Sequence, residues 1–296
     1  MNERSEPVGE GHMSDDHAHL SLAVAEADGD ARWAFGTGFT DPLHGVDTAV
    51  PPTVQAPALA AYCLALGDDA LVSAQRLGEW CTRAPELEEE VALANIGLDL
   101  LGQARLLYTR AGQAEGGGRS EDDLAYFRDP SEFRNVRLAE LPNGDFAFSV
   151  ARLLVLSAWR LAVFERLAGC PDPVLAAIAA KGVKELTYHR QYAADWVVRL
   201  GDGTEESHRR MQQGLDEVAP HLGELLTGET AFGTGAAPVA DELTAVLRQV
   251  ADAAGLTLPQ TAPLPGSGRD GDHTEHLAPL LAELQSVARA HPGAVW

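Results

Sequence analysis

Two pairs of long helical segments, separated by one long connection, constrain the fold of this chain more than any other feature. Apolar residues recur with roughly helical spacing over residues 57–82 and 85–113, and again over 145–168 and 173–200. The connection between the two pairs, 114–143, contains several of the glycine and proline signals that end helices. Four long helices joined in a short, long, short order predict an all-α protein built on a four-helix bundle.

Local signals mark the ends of these helices. Pro57 and Pro85 lie where the first two helices begin, and Asp172 followed by Pro173 is a strong start signal for the fourth helix. Gly201 is the expected C-cap of that helix. A single long crossover between the second and third helices is typical of ferritin-like bundles. The sequence therefore predicts a ferritin-like four-helix bundle with this crossover.

The polar beginning of the chain and the segment after the bundle set the expected domain limits. Residues 1–52 are rich in Asp, Glu, Gly and Ser and have little apolar periodicity, which predicts a disordered acidic tail. Residues 53–296 are expected to form one ferritin-like helical domain, with the core bundle at about 57–201. Additional C-terminal helices, within about 204–290, are predicted at 204–226, 238–254 and 275–290.

The strongly acidic balance of the chain limits its partners. The chain contains 44 acidic and 22 basic side chains, which gives a formal net charge of −22. Nucleic acids and anionic lipid surfaces attract basic proteins, so neither a nucleic acid nor a membrane is an expected partner. The net charge mainly favours solubility and says little about the fold.

The apolar stretches and the cysteines favour a cytoplasmic location. Residues 146–164 form the longest apolar stretch, but Arg152 and Arg160 interrupt it, which favours a buried bundle helix over a membrane span. The polar and acidic N-terminal residues do not resemble a signal peptide. The three cysteines are too scattered for a disulfide framework or a zinc site, and they favour buried thiols in a reducing cytoplasm.

One pair of side chains on the fourth helix resembles half of a metal site. Glu185 and His189 lie in the helical stretch KGVKELTYHRQYAADWV. A di-iron site in a helix bundle uses one Glu from each of two helices and a Glu-x-x-His pair from each of the other two. Here the pair is four residues apart instead of three, and Leu186 stands where the ligand Glu is needed. Residues 45–188 contain no histidine for a second pair.

Carboxylates on the other helices complete the set of candidate ligands. They are Glu79, Asp68 and Asp69 on the first helix, Glu90 and Asp99 on the second, and Glu165 on the third. Gly102 and Gln103, which follow Asp99 by about one turn, do not replace imidazole well. We therefore expect no bound metal, no catalytic residue and no cofactor in this chain, only a vestigial site made of Glu79, Asp99, Glu165, Glu185 and His189.

The polar residues of a vestigial site must satisfy one another inside the bundle. Residues four apart share a helix face, so we expect Glu185 to hydrogen-bond His189, with Lys184 nearby. A second network is expected among Arg76, Glu79 and Glu165. Both groups would then serve the structure of the bundle.

The segment 268–276 contains two histidines close together. His273 and His276 could form a metal-binding pair at the surface. The interpretation we favour is that Thr274 caps the last helix and that Glu275 lies in its first turn.

Four segments of the chain closely resemble a known family, the C subunits of bacterial phenylacetyl-CoA epoxidase complexes. The resemblance covers about residues 57–296, and its motifs are specific. The segments are LGDDALVSAQRLGEWCTRAPELEEEVALANIGLDLLGQAR (66–105), DDLAYFRDPSEFRNVRLAELPNGDFA (122–147), AAKGVKELTYHRQYAADWVVRLGDGTEES (179–207) and HTEHLAPLLAELQ (273–285).

This resemblance implies a ferritin-like subunit that has lost the full ligand set. In such a complex the catalytic A subunit carries the di-iron site and the CoA thioester, a B subunit joins, and a flavin and iron–sulfur reductase supplies electrons. One oxygen atom of dioxygen enters the aromatic ring of phenylacetyl-CoA and gives an epoxide. The resemblance thus implies a non-catalytic structural subunit that stabilises the A subunit in aerobic phenylacetate catabolism.

A different function stays open on the residues alone. The chain could be a ferritin-like iron-binding protein or a self-sufficient di-iron oxygenase. It would then need an all-carboxylate site, or imidazole from outside the four main helices, for which His208 and His221 are available. Near-stoichiometric iron in the purified chain would favour this alternative.

Overall fold

The computed structural model describes residues 43–227, 232 and 235–294, and every regular element in those residues is helical. The predicted all-α class is confirmed. Short 3-10 turns lie at Pro130–Glu132, Ala219–His221 and Gly268–Asp270. In chain order the α-helices are α1 (Ala56–Gly78), α2 (Leu87–Glu115), α3 (Glu121–Tyr126), α4 (Arg137–Glu140), α5 (Phe146–Leu167), α6 (Pro173–Gly201), α7 (Glu205–Val218), α8 (Leu222–Thr227), α9 (Ala236–Ala253) and α10 (Leu277–Ala290).

Helices α1, α2, α5 and α6 form the four-helix bundle. α1 packs along α2, α5 packs along α6, and α2 also contacts α6. Residues 79–86 and 168–172 connect the helices within each pair, whereas the much longer segment 116–145 connects the two pairs. This is the short, long, short order of a ferritin-like bundle, so the predicted architecture is confirmed.

Helix α5 lies at the centre of the fold. Nearly all of its residues are buried, because it packs against α7 and α9 as well as α6. α1 and α5 are long and apolar enough to cross a membrane by length and composition, but 67% and 89% of their apolar windows are buried inside the protein. Buried core helices of a bundle pass the same test of length and hydropathy.

The helix ends follow the predicted signals with small shifts. α1 has Pro57 in its first turn. The side chain of Asp172 caps α6 by accepting a hydrogen bond from the backbone N–H of Leu175 at 2.8 Å. Gly201 is the last residue of α6, and the C-cap is one residue later than predicted. Gly201 serves close packing instead, because a Cβ there would lie 2.6 Å from the carbonyl oxygen of Ala254.

The crossover 116–145 folds back onto the bundle. It contains α3, one 3-10 turn and α4. Arg128 of the crossover donates a hydrogen bond to Asp68 of α1 from Nη1 at 3.2 Å. The backbone N–H of Val136 donates to Asp69 at 2.8 Å. The long connection is therefore held in place by buried carboxylates of the first helix.

The helices after the bundle differ in one respect from the prediction. The single helix expected at 204–226 is divided into α7 and α8 by a 3-10 turn. Pro220 lies in that turn, and a proline has no N–H to continue a regular helix. α7 and α9 pack against α5, whereas α10 packs against α3 of the crossover.

The described part of the chain joins the bundle before residue 53. Residues 1–42, most of the predicted disordered tail, lie outside the described residues. The carbonyl oxygen of Thr48 accepts a hydrogen bond from Arg110 Nη1 at 2.6 Å. Three apolar side chains from the last ten residues of the expected tail pack against the core, namely Leu43, Val46 and Val50.

Candidate functional site

Glu185 and His189, the two side chains of the predicted half site, do not bond to each other in the structure. Each of them bonds to a residue of α2 instead of to the other. Glu185 accepts a hydrogen bond from Gln103 Nε2 at 2.9 Å and pairs with Lys181, not with Lys184. His189 Nε2 lies 3.0 Å from a carboxylate oxygen of Asp99 and donates to it, because a carboxylate only accepts. The predicted Glu185–His189 bond is therefore wrong, since α2 offers closer partners.

Glu79 lies at the C-terminal end of α1, away from these pairs. Its carboxylate pairs with Arg76 at 2.7 Å and accepts from Asn143 Nδ2 at 3.0 Å. Arg76 in turn donates to the carbonyl oxygen of Glu140 from Nη2 at 2.6 Å. These bonds connect the end of α1 to the end of the crossover, so Glu79 has a structural role here.

Glu165 is exposed and faces α9. Partial loss of water around its carboxyl raises the pKa of Glu165, and the neighbouring carboxylate of Glu242 raises it further. The expected network of Arg76, Glu79 and Glu165 therefore holds only for Arg76 and Glu79. The sequence could not show the position of Glu165 before the place of α9 was known.

The interior of the bundle contains a small cavity of about 30 Å³. A cavity of this size has room for one or two water-sized molecules. Arg160 of α5 and His189 of α6 line it, together with Ser73 of α1. The rest of the wall is mainly apolar, with Leu77, Leu100, Leu153, Leu156 and Leu186 among its side chains.

Arg160 links the four helices of the bundle. Its Nε donates to Gln103 Oε1 at 2.9 Å, and its Nη1 donates to the carbonyl oxygen of Leu66 at 3.0 Å. Through Gln103 the network continues to Glu185 on α6. Burial lowers the pKa of Arg160 to about 10, so the guanidinium stays charged at neutral pH.

Arg152 is a second arginine that lines the same cavity. Its Nη1 donates to the carbonyl oxygen of Leu141, and its Nη2 donates to the side chain of Asn143. Burial, and then the charge of Arg76, lower the pKa of Arg152 to about 9, while Glu79 acts in the opposite direction. Arg152 is therefore also a cation at neutral pH.

These residues do not fit a di-iron centre. Within the described residues, no three His, Cys, Asp or Glu side chains lie close enough together to hold a metal ion. Glu79 and Glu165 lie in separate places, and the Asp99–His189 pair offers at most two ligands. Two arginines line the cavity, and their positive charges oppose a bound metal ion. The expectation that this chain carries no metal stays a prediction.

The arginine partners of Asp68 and Asp69 were not predicted from the sequence. Asp68 pairs with Arg128 and accepts a hydrogen bond from Tyr108 at 2.7 Å. Asp69 pairs with Arg269 at 2.6 Å. Two consecutive aspartates inside an apolar helix were the available signal, because buried charges need partners. Both carboxylates are occupied as structural acceptors, which removes them from the ligand set.

His273 is largely buried and is not a surface metal ligand. Its Nδ1 lies 3.0 Å from Glu140, and its Nε2 lies 2.9 Å from the carbonyl oxygen of Phe133. Burial opposes the charged ring, but these two hydrogen bonds outweigh burial and raise the pKa of His273.

The cap predicted for the last helix is also wrong. His276 is the N-cap of α10, and Thr274 Oγ1 only accepts from its backbone N–H at 3.3 Å.

The imidazoles required by the alternative function lie away from the cavity. His208 Nδ1 lies 2.7 Å from the carbonyl oxygen of Gly201, beyond the end of the bundle. Burial, and then the charge of Arg137, lower the pKa of His221. Neither histidine lines the interior cavity. The described residues thus offer no second imidazole at the place where a di-iron bundle would need one.

An apolar stripe, defined here as Leu87, Val91 and Leu98 of α2 with Tyr188 of α6, is exposed on the bundle surface. The exposed fractions are 70%, 52%, 64% and 53%. The three residues of α2 are four and seven positions apart, so they share one face of the helix. The Asp99–His189 bond joins α2 to α6 beside Leu98 and Tyr188. An exposed apolar surface of this kind is typical of protein interfaces.

Comparisons with known proteins agree with the resemblance seen in the sequence. A family model described as phenylacetic acid catabolic protein matches residues 44–296. A protein of Escherichia coli (strain K12), which is named as the C subunit of 1,2-phenylacetyl-CoA epoxidase, is 44% identical over 250 residues. These residues cover 80% of this chain and 99% of that protein, so the expected resemblance is confirmed. The family match extends over more than half of the sequence, and the chain therefore belongs to the phenylacetic acid catabolic protein family.

Proposed function

We propose that this chain is the C subunit of a phenylacetyl-CoA epoxidase and that its role in the complex is structural. The similar protein of Escherichia coli bears that name, and the alignment covers nearly all of that protein. A subunit by definition works with other subunits. We assign the di-iron centre and the chemistry to a catalytic A subunit, with a B subunit and a reductase as further partners.

One observation carries the structural role. The bundle interior, where metal ligands must project, contains the guanidinium of Arg160. That group is bonded to α1 directly, to α2 through Gln103, and to α6 through Gln103 and Glu185. This arrangement supports a bundle whose helices are held together by the hydrogen bonds of Arg160 and Gln103 and whose interior has no room for two iron ions.

The apolar stripe supports docking to another subunit. Four large apolar side chains on one surface are costly to leave in water, and an obligate interface buries about 2,000 Å² or more. Glu86 and Glu88 lie exposed on either side of Leu87. Acidic side chains at the rim of a stripe favour a partner whose facing rim is basic.

The charge of the chain supports a substrate site on the partner. The phosphates of CoA need basic side chains or helix N-termini, and this chain has a formal net charge of −22. We therefore propose that phenylacetyl-CoA is bound through the complex, mainly by the catalytic subunit. The reducing cytoplasm is the proposed location.

The test is expression of the chain alone, of the catalytic subunit alone, and of both together. We expect the two subunits to elute as one species in size-exclusion chromatography. Iron measured by elemental analysis should follow the catalytic subunit, and epoxidation of phenylacetyl-CoA with reductase present should need it. The isolated chain should contain substoichiometric iron.

Three results would contradict this function. Near-stoichiometric iron in the isolated chain, with an oxo-bridged absorption band, would favour the iron-binding alternative. Turnover by the isolated chain with only a reductase would make it a self-sufficient oxygenase. Failure of the two subunits to co-elute under any salt condition would remove the structural role itself.

A further inference from the structure

A larger cavity lies between α5 and the C-terminal helices α7, α8 and α9. Its volume is about 250 Å³, against about 30 Å³ for the cavity inside the bundle. Protein cores contain few voids larger than a water molecule, so a space of this size needs an explanation. Its wall is mainly apolar, and the side chains there include Val155, Val218, Leu226, Leu243, Leu247 and Leu258. No residue of the apolar stripe lines it.

The outer wall of this cavity includes the segment 258–263, which is fastened at both ends. Before it, the backbone N–H of Thr257 donates to Gln212 Oε1 at 2.9 Å, and Gln212 Nε2 donates to the carbonyl oxygen of Thr257 at 2.8 Å. After it, the backbone N–H of Leu264 donates to the carbonyl oxygen of Pro220 at 3.0 Å. The segment is therefore held over the cavity at two fixed points.

The chemistry of the wall decides the charge of a ligand. Among the described residues, no Asp, Glu, Lys, Arg or His lines the cavity. Its polar side chains are Thr244 of α9 and, on the outer segment, Gln260 and Thr261. A charged group buried without a partner is costly, so the wall favours an uncharged ligand. The hydroxyl of Thr244 is available for one hydrogen bond to it.

We propose that this cavity binds a small uncharged aromatic molecule, a single ring with short substituents. An apolar protein cavity of about 150 Å³ stays dry and binds benzene, so about 250 Å³ has room for a ring with about four further atoms. Water finds few hydrogen-bond partners on this wall, and an apolar molecule gains free energy by replacing it. A rigid ring also loses less conformational freedom on binding than a flexible chain of the same size.

The probe is 4-bromophenol, because it is uncharged at neutral pH and its bromine scatters X-rays anomalously. Crystals of the full chain are soaked in it, and we expect an anomalous peak inside the cavity. In solution, the melting temperature of the full chain should rise in a saturable manner, by about 2–5 °C at about ten times the dissociation constant. The charged analogues 4-bromobenzoate and 4-bromobenzylamine, an anion and a cation, should give no such rise.

Two substitutions fill the cavity from different helices. Thr244→Phe adds a ring from α9, and Val155→Phe adds one from α5. We expect each to abolish the saturable rise with 4-bromophenol. Thr244 is only half-buried, so Thr244→Phe keeps the test available if Val155→Phe, at a buried position, does not fold. Thr187→Phe is the matched control, because Thr187 is exposed on α6 and does not line the cavity; it should keep the rise.

Four results would overturn the proposal. The first is a cavity without a bromine peak at a concentration of 4-bromophenol that saturates the rise in solution. The second is an equal rise with the charged analogues, which would show that binding does not depend on an uncharged ligand. The third is a rise that survives both filling substitutions, which would place binding elsewhere. The fourth is tighter binding of 1-heptanol, a flexible molecule of similar size, which would exclude the preference for a ring.

Discussion

At the residue scale, consecutive side chains of α1 have different partners. Asp68 and Asp69 are 0% and 3% exposed, and each pairs with an arginine from a distant part of the chain. Arg128 comes from the crossover and Arg269 from the segment before α10. Removing one partner of a buried ion pair leaves an uncompensated charge, which is why such pairs are sensitive to substitution.

Asp68→Asn should lower the free energy of unfolding by about 3–5 kcal/mol. The amide keeps the shape of the side chain but leaves Arg128 buried without its counter-charge. Urea denaturation followed by circular dichroism measures the change. Asp252→Asn, at an exposed aspartate of α9, is the matched control and should change stability by less than about 0.5 kcal/mol. Equal effects of the two substitutions would contradict the buried ion pair.

A second residue-scale prediction concerns pH and the bond between His273 and Glu140. The pKa of His273 is raised in the folded protein, so its stabilising contribution is full below the unfolded value of 6.5 and is lost as pH rises through the folded pKa. His273→Gln should remove this loss. Denaturation midpoints measured on both sides of pH 6.5 test it. His276→Gln should keep the wild-type dependence, since its ring makes no hydrogen bond in the described part of the chain. A wild-type slope in His273→Gln would disprove the assignment.

At the scale of helices, α5 and α6 approach closely where Gly182 faces Phe164. A Cβ on Gly182 would lie 2.6 Å from two carbons of the Phe164 ring. Phe164 is fully buried, and side chains in a protein core are closely packed. This contact fixes the register of the two helices, and so it decides which residues of α6 face α2.

Gly182→Ala should therefore destabilise the protein, by about 1–3 kcal/mol, although alanine is the better helix former. Gly102→Ala is the matched control on α2, because nothing lies within 4 Å of a Cβ at that position. The control should be neutral or should stabilise by up to about 1 kcal/mol. Thermal unfolding of both variants gives the comparison, and a stable Gly182→Ala variant would show that the two helices can separate.

The helices themselves were largely predictable from the sequence, and their side-chain partners were not. Apolar spacing, Pro57 and the Asp172 cap predicted the order and the approximate ends of the long helices. The Glu185–His189 bond was predicted from spacing along one helix, but Gln103 and Asp99 of α2 compete for the two side chains. A local pattern contains no information on such competition, because it depends on how α2 and α6 are placed.

At the scale of the whole molecule, the apolar stripe is the surface we propose for docking. Leu98 belongs to this stripe and is 64% exposed, so the isolated fold should not depend on it. Leu98→Glu should leave the melting temperature of the isolated chain nearly unchanged. It should weaken binding to the catalytic subunit by at least about tenfold, which corresponds to about 1.4 kcal/mol.

The matched control is Val287→Glu on α10, where the side chain is 55% exposed and lies outside the stripe. This substitution adds the same charge to the molecule. Affinity measured by biolayer interferometry should therefore stay at the wild-type value. Equal loss of binding in both variants would mean that net charge and not the stripe governs association.

The sequence by itself determined the helical class, the order of the bundle helices, the long crossover and the shortage of imidazole in residues 45–188. These properties are local or compositional, so helix periodicity, helix-end signals and a count of histidines suffice to predict them. Only the tertiary structure decided that Glu165 faces α9, that Asp68 and Asp69 hold distant arginines, and that Arg160 bonds to α1 and α2 inside the bundle. Contacts of this kind depend on the register between packed helices. That register depends on close approaches between residues of different helices, such as the approach of Gly182 to Phe164.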